Sequence, residues 1–107
     1  MTGLCERGGI LWWDQIAFIP SIHGRVAFAR EVRRVFLGGR FPTVAVELPE
    51  SLAAKTLEGI ERLPIICTVS YEERSGTRCF FPIDPCDSIV EALRLGIGES
   101  CILELID

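Results

Sequence analysis

A histidine and a few acids stand where a catalytic or metal-binding site could be built. His23, the single histidine of the chain, lies in Pro20-Ser21-Ile22-His23-Gly24, between an apolar segment and a helical one. At a helix N-terminus, backbone N–H groups favour a bound anion or a neutral imidazole. Glu47 places a carboxylate inside the apolar run Val44-Ala45-Val46-Glu47-Leu48. Burying that charge is costly unless it is paired or bound to a cation. A histidine and a carboxylate at neighbouring strand exits can hold a divalent ion that activates water, or one of them can act as general base. A catalytic metal usually takes three protein ligands. Asp107 is the candidate for the third, with Glu104 or a residue beyond the C-terminus as the other choices. Ser21 and Asp84 complete the polar set, and Asp84 has a structural use as a helix cap. Hydrogen bonds between His23, Glu47 and adjacent loops are the plain alternative to a joint chemical role.

These residues must be positioned by regular elements. Residues 1–14 read as an irregular lead-in. The run Ile16-Ala17-Phe18-Ile19, closed by Pro20, reads as a strand buried on both faces. Residues 24–37 have helical periodicity and stop at Gly38-Gly39. Residues 43–48 are rich in β-branched side chains between two prolines and predict a second buried strand. Pro49-Glu50 opens a helix through residue 63, and Pro64 ends it. Residues 65–71 predict a strand that reverses at 74–77 into a strand at 78–83, an antiparallel hairpin. A helix over 85–95, with Asp84 as cap and Asp87 three residues on, precedes a last strand at 101–106. The order β-α-β-α-β-β-α-β predicts an α/β fold: one domain, a largely parallel, mixed sheet with helices on both faces. The last apolar strand has no helix after it, so these residues read as the N-terminal part of a larger domain, or as a chain that covers the strand with a second copy.

Composition sets the outer limits. The chain has 107 residues, 49% of them hydrophobic, and a mean hydropathy of +0.34. A chain of this size hides only about 65% of its unfolded surface, so the apolar surplus needs further cover. A membrane span needs roughly 20 apolar residues in a row, and the longest charge-free stretch, residues 15–24, is half that and contains a proline. The first residues lack a secretory h-region, which makes a cytoplasmic location the default. Five cysteines without a C-x-x-C spacing read as free thiols, with Cys67, Cys79, Cys86 and Cys101 buried as small hydrophobes and Cys5 exposed. The net charge of -4 argues against nucleic acid as a partner. The cluster Arg25, Arg30, Arg33, Arg34 and Arg40 reads as the solvated side of an amphipathic helix.

Residues 16–50 also resemble the opening of TraB/TIKI-type proteins, a superfamily that takes in ChaN-like and erythromycin-esterase-like proteins. The likeness rests on Ile19-Pro20-Ser21-Ile22-His23, the run Arg30-Glu31-Val32-Arg33-Arg34-Val35, and Pro42-Thr43-Val44-Ala45-Val46-Glu47-Leu48. It implies a metal-dependent hydrolase with His23 and Glu47 in the active site, and zinc or manganese as the metal. Pro20 stands where the family motif has glycine. Proline removes an N–H and the left-handed conformation, so the loop is expected to differ. With only two of the ligands in hand, the 107-residue piece is expected to be inactive and to bind metal weakly. The competing expectation is a non-catalytic α/β module for assembly or ligand binding, in which Trp12-Trp13 and the exposed apolar strand contact a partner. That partner is a second copy, as a homodimer, or the C-terminal remainder of the same protein.

Overall fold

A computed structural model describes residues 3–106. Its first surprise is at the N-terminus, where residues 4–18 form a three-stranded antiparallel meander instead of an irregular lead-in. Strand β1 (Leu4–Arg7) pairs with β2 (Ile10–Trp13), and β2 with β3 (Ile16–Phe18). Both connections are two-residue turns. Gly8 and Gly9 have φ of 58° and 83°, the double left-handed conformation of a type I′ hairpin turn, and Asp14 takes φ 51° at the second turn. These turns explain the main departure from the predicted topology. The segment at 16–18 finds its partner two residues upstream, at far lower loop-closure cost than a crossover to a distant parallel strand. It is also exposed on alternate residues rather than buried on both faces.

Helix α1 (Val26–Leu37) follows, then β4 (Thr43–Glu47), a 3-10 turn (Glu50–Leu52) and α2 (Ala53–Glu61). The predicted helix over 49–63 is thus a short turn plus a nine-residue helix. Strands β5 (Cys67–Glu72) and β6 (Arg78–Ile83) form the expected antiparallel hairpin, and α3 (Ser88–Gly98) leads into β7 (Ile102–Ile106). Only β4 and β7 are parallel, with Thr43 opposite Ile102 and Glu47 opposite Ile106. Among the described residues the fold is therefore mixed α/β, with three α-helices and three small sheets that are mostly antiparallel, instead of one largely parallel sheet.

Helix α3 is the centre of the core. Ile89, Val90 and Leu93 are buried on it together with Leu95, and it is apolar on most of its surface because neighbours cover it on several sides. Val46 of β4 and Leu48 just after it, Leu52 and Ile60 around α2, and Val69, Phe81 and Ile83 of the hairpin complete the cluster. Two glycines let helices approach strands closely. A Cβ on Gly96 would lie 2.7 Å from Leu103 and 3.2 Å from Val44, and one on Gly59 would lie 2.8 Å from Ile83.

One side of this arrangement is bare. The β4–β7 pair meets α3 through Val44 and Val46, while Thr43, Ala45, Glu47, Ile102, Glu104 and Ile106 point the other way and are exposed. Among the described residues no helix is long and apolar enough to cross a membrane. All five cysteines are free, and Cys86 is exposed rather than buried.

Candidate functional site

The α3 N-terminus organises the polar residues. Asp87, not Asp84, is the N-cap: its Oδ2 accepts from the backbone N–H groups of Ile89 at 3.0 Å and Val90 at 3.2 Å. A carboxylate suits this place, since it satisfies orphan donors and faces the positive end of the helix. Asp84 closes the turn before it by accepting from the Cys86 N–H at 2.8 Å.

The second oxygen of Asp87 reaches across to the loop between β3 and α1. Its Oδ1 lies 2.8 Å from His23 Nδ1 and accepts from the Gly24 N–H at 3.0 Å. Gly24 has φ 73°, a left-handed conformation that glycine adopts without strain and that turns its N–H and the preceding imidazole toward the same carboxylate. The aspartate side chain is 4% exposed and the histidine 59%. Phe81, buried in the hairpin, meets the imidazole edge-on at 5.5 Å between ring centres.

This geometry fixes the imidazole's protonation pattern. The Asp87 carboxylate already takes three backbone N–H donors, so it faces His23 as an acceptor. A neutral His23 must then carry its proton on Nδ1 and leave Nε2 with a free lone pair. A buried carboxylate that orients a histidine also stabilises the imidazolium that forms when Nε2 takes a proton. Beside this pair the Ser21 and Ser88 hydroxyls hydrogen-bond one another and tie the loop a second time to the start of α3.

His23, Ser21 and Glu47 all line a cleft of about 570 Å³. Its floor is apolar, with Val32, Val35 and Phe36 of α1, Ile89 and Ala92 of α3, and Phe41. All five residues of β4 border it, which places the cleft along the strand edge that has no partner strand among the described residues. Glu47 is exposed at the C-terminal end of that edge instead of buried, and its carboxylate has no ion-pair partner among the described residues. No lysine or arginine lines the cleft among the described residues.

The predicted site residues thus separate into groups. His23, Glu47 and Ser21 share the cleft. Asp84 serves the α3 turn, and Glu104 stands on the bare face of β7 opposite Ala45. Asp107, the expected third ligand, lies outside the described residues. Among those described, no three His, Cys, Asp or Glu side chains form a group that could hold a metal ion. Sequence reasoning treated Asp87 only as part of a capping box and missed its hold on His23. The signal was thin: the two residues are 64 positions apart, and nothing in spacing joins them.

The five arginines expected to be solvated, Arg25, Arg30, Arg33, Arg34 and Arg40, are all exposed, and two of them also make contacts. Arg33 reaches Glu91 at 3.5 Å, Arg94 donates to the same carboxylate at 2.6 Å, and Arg34 donates to the Gly8 carbonyl at 3.1 Å while pairing with Glu31. The Glu31 carboxyl is held below its ordinary range by that hydrogen bond. These contacts fasten α1 to α3 on one side and to the β1–β2 turn on the other.

In comparisons with protein-family models, curated proteins and solved structures, no match to this chain was found.

Proposed function

We propose that the cleft is a hydrolytic site in which His23, held by Asp87, is the general base. The single observation that carries this reading is the 2.8 Å contact between His23 Nδ1 and a buried carboxylate, which leaves Nε2 free at an exposed cleft. In the reaction, Nε2 takes a proton from water as it attacks an acyl carbon, Asp87 stabilises the resulting imidazolium, and the proton passes to the leaving group. A positioned base of this kind contributes about 10²- to 10⁴-fold in rate.

The lining narrows the substrate. The mix of apolar and neutral polar residues around an unneutralised Glu47, with no lysine or arginine among the described residues to receive an anion, favours an uncharged or cationic acyl compound over a phosphate ester. The resemblance of residues 16–50 to TraB/TIKI-type hydrolases supports the same two residues, His23 and Glu47. The described residues supply two metal donors to the cleft, His23 and Glu47, short of the usual three. No step of the proposal therefore runs through zinc or manganese, and it needs no ligand beyond residue 106.

The test is turnover of a panel of neutral and cationic chromogenic esters and amides, with EDTA or with added zinc or manganese. Hydrolysis that falls at least 100-fold in both His23→Ala and Asp87→Asn, with or without EDTA, supports the proposal. Turnover unchanged in His23→Ala, or none with any member of the panel, sinks it. Activity that appears only with added metal replaces it by the metal-dependent form.

A further inference from the structure

The helical layer reaches further than the sheet it covers. Helix α3 packs beneath β4 through Val44 and Val46. Helix α1, joined to α3 through Arg33 and Glu91, carries Val35 and Phe36 past the edge of β4, to where a further strand would lie. On the far side stands β3, the edge strand of the meander, with Ala17 and then Ile19 lining the same cleft. The volume of about 570 Å³ is within the roughly 300–1,000 Å³ of ligand-binding clefts. It follows the whole of β4, five residues and so about 17 Å long.

The backbone of β4 shows what this slot offers. The Ile102 N–H donates to the Pro42 carbonyl at 2.8 Å. Main-chain groups alternate sides along a strand, so Val44 and Val46, like Pro42, turn theirs toward β7, as the pairing of Thr43 with Ile102 also requires. Thr43, Ala45 and Glu47 therefore turn their N–H and C=O groups to the opposite edge. No strand or loop among the described residues bonds to them there. All three residues are exposed. Three donors and three acceptors at every second residue are a template for one added strand. Charge marks one end of the template: Glu47 has no ion-pair partner and no lysine or arginine lines the cleft, among the described residues.

We infer that the cleft takes an extended peptide as an added strand on β4, with apolar side chains at alternate residues toward α1 and α3 and a basic side chain on the other face beside Glu47. Main-chain bonds to Thr43, Ala45 and Glu47 supply affinity, and the alternating side chains supply selectivity. Binding of this kind stands on the edge and the cleft alone. That the peptide is also the substrate rests on the hydrolytic reading. Helix α3 leads into β7, which is parallel to β4, so α3 runs antiparallel to both and its N-terminus, with Asp87 and His23, lies at the Glu47 end of the added strand.

The probe is the fluorescein-labelled, amidated peptide Val-Lys-Val-Thr-Val-Lys-Val, which presents valines to one face and lysines to the other in either strand direction. Binding is read by fluorescence anisotropy on the His23→Ala chain, which the hydrolytic reading holds inactive. Expected is saturable binding, with amide exchange at Ala45 and Glu47 fast in the free chain and slowed when the probe is bound. Ala45→Pro removes an edge donor and leaves the β7 ladder intact, so it should weaken binding about tenfold or more. N-methylation of the probe on one alternate set of residues should do the same, and on the other set nothing. Glu47→Gln should weaken binding about two- to fivefold, a difference that vanishes with threonine in place of both probe lysines. No saturable binding overturns the inference, even where the ester panel is hydrolysed. Binding with no turnover of probe or panel by the parent upholds it and sinks only the hydrolytic reading. Exchange at Ala45 and Glu47 that is already slow in the free chain overturns it, because another segment or a second copy then fills the edge. Should Ala45→Pro fail to fold, the N-methylated probes decide, and an equal effect of the two sets overturns the added strand.

Discussion

Asp87 joins the architecture to the chemistry, so its removal should be read twice in one protein. In Asp87→Ala, the N–H groups of Ile89 and Val90 lose their acceptor while both residues are buried, at 6% and 0% exposure. Water cannot readily replace the carboxylate there, which puts the loss near the upper end of the cap range, about 2 kcal/mol. The released Gly24 N–H and the exposed His23 can both turn to solvent and add only about 0.5 kcal/mol. The total, about 2–3 kcal/mol, corresponds to a fall of roughly 10 °C in Tm for a domain of this size. Asp87→Asn separates the two roles. Its remaining oxygen keeps the cap, while the amide nitrogen, now a donor, faces His23 Nδ1 and forces that nitrogen to accept, and the Gly24 N–H, which donated to the same atom, turns to solvent. The stability loss should be near 1 kcal/mol, and the neutral imidazole should carry its proton on Nε2 instead of Nδ1. Urea denaturation measures the first effect. Nitrogen-15 shifts of the single histidine, taken in alkaline buffer, measure the second. An Asp87→Ala variant within 0.5 kcal/mol of the parent, or a parent histidine already protonated at Nε2, would refute the reasoning.

Two further outcomes follow from single groups. Thr56 Oγ1 is fully buried and lacks a hydrogen-bond partner among the described residues, so Thr56→Val, which keeps the shape and removes the stranded hydroxyl, should raise stability by about 1 kcal/mol in urea denaturation. A loss of stability there would mean that the hydroxyl has a partner. The Cys86 thiol is pushed up by the charge of Asp84, with desolvation adding to it. A raised pKa leaves less thiolate at neutral pH, so Asp84→Asn should speed iodoacetamide alkylation of Cys86 severalfold, measured peptide by peptide in a mass spectrometer. An unchanged rate would count against control by Asp84.

How much of this was legible in the chain depends on the range of the interaction involved. The hairpin at 67–83, the three helices and the strands at 43–47 and 102–106 were readable, because proline, glycine and periodicity act over a few residues. The Gly8-Gly9 hairpin was present as a turn signal and passed over, since Leu4-Cys5-Glu6-Arg7 alternates too weakly to announce a strand. That hairpin changes the topology: it takes the segment at 16–18 out of the predicted parallel sheet and leaves one edge of β4 free to border a cleft. Glu47 looked like a buried charge because its neighbours are apolar. Burial belongs to the face of a strand rather than to its composition, and the β4 face that carries Glu47 is the uncovered one. Sequence alone determined the kinds of group available and the local elements that carry them: one histidine, a capping acid before α3, an apolar surplus. Only the tertiary structure decided that the capping acid and the histidine are partners. Residues 64 positions apart meet only after Gly24 turns its loop onto the α3 N-terminus and the core fixes both ends, and no local preference encodes that meeting.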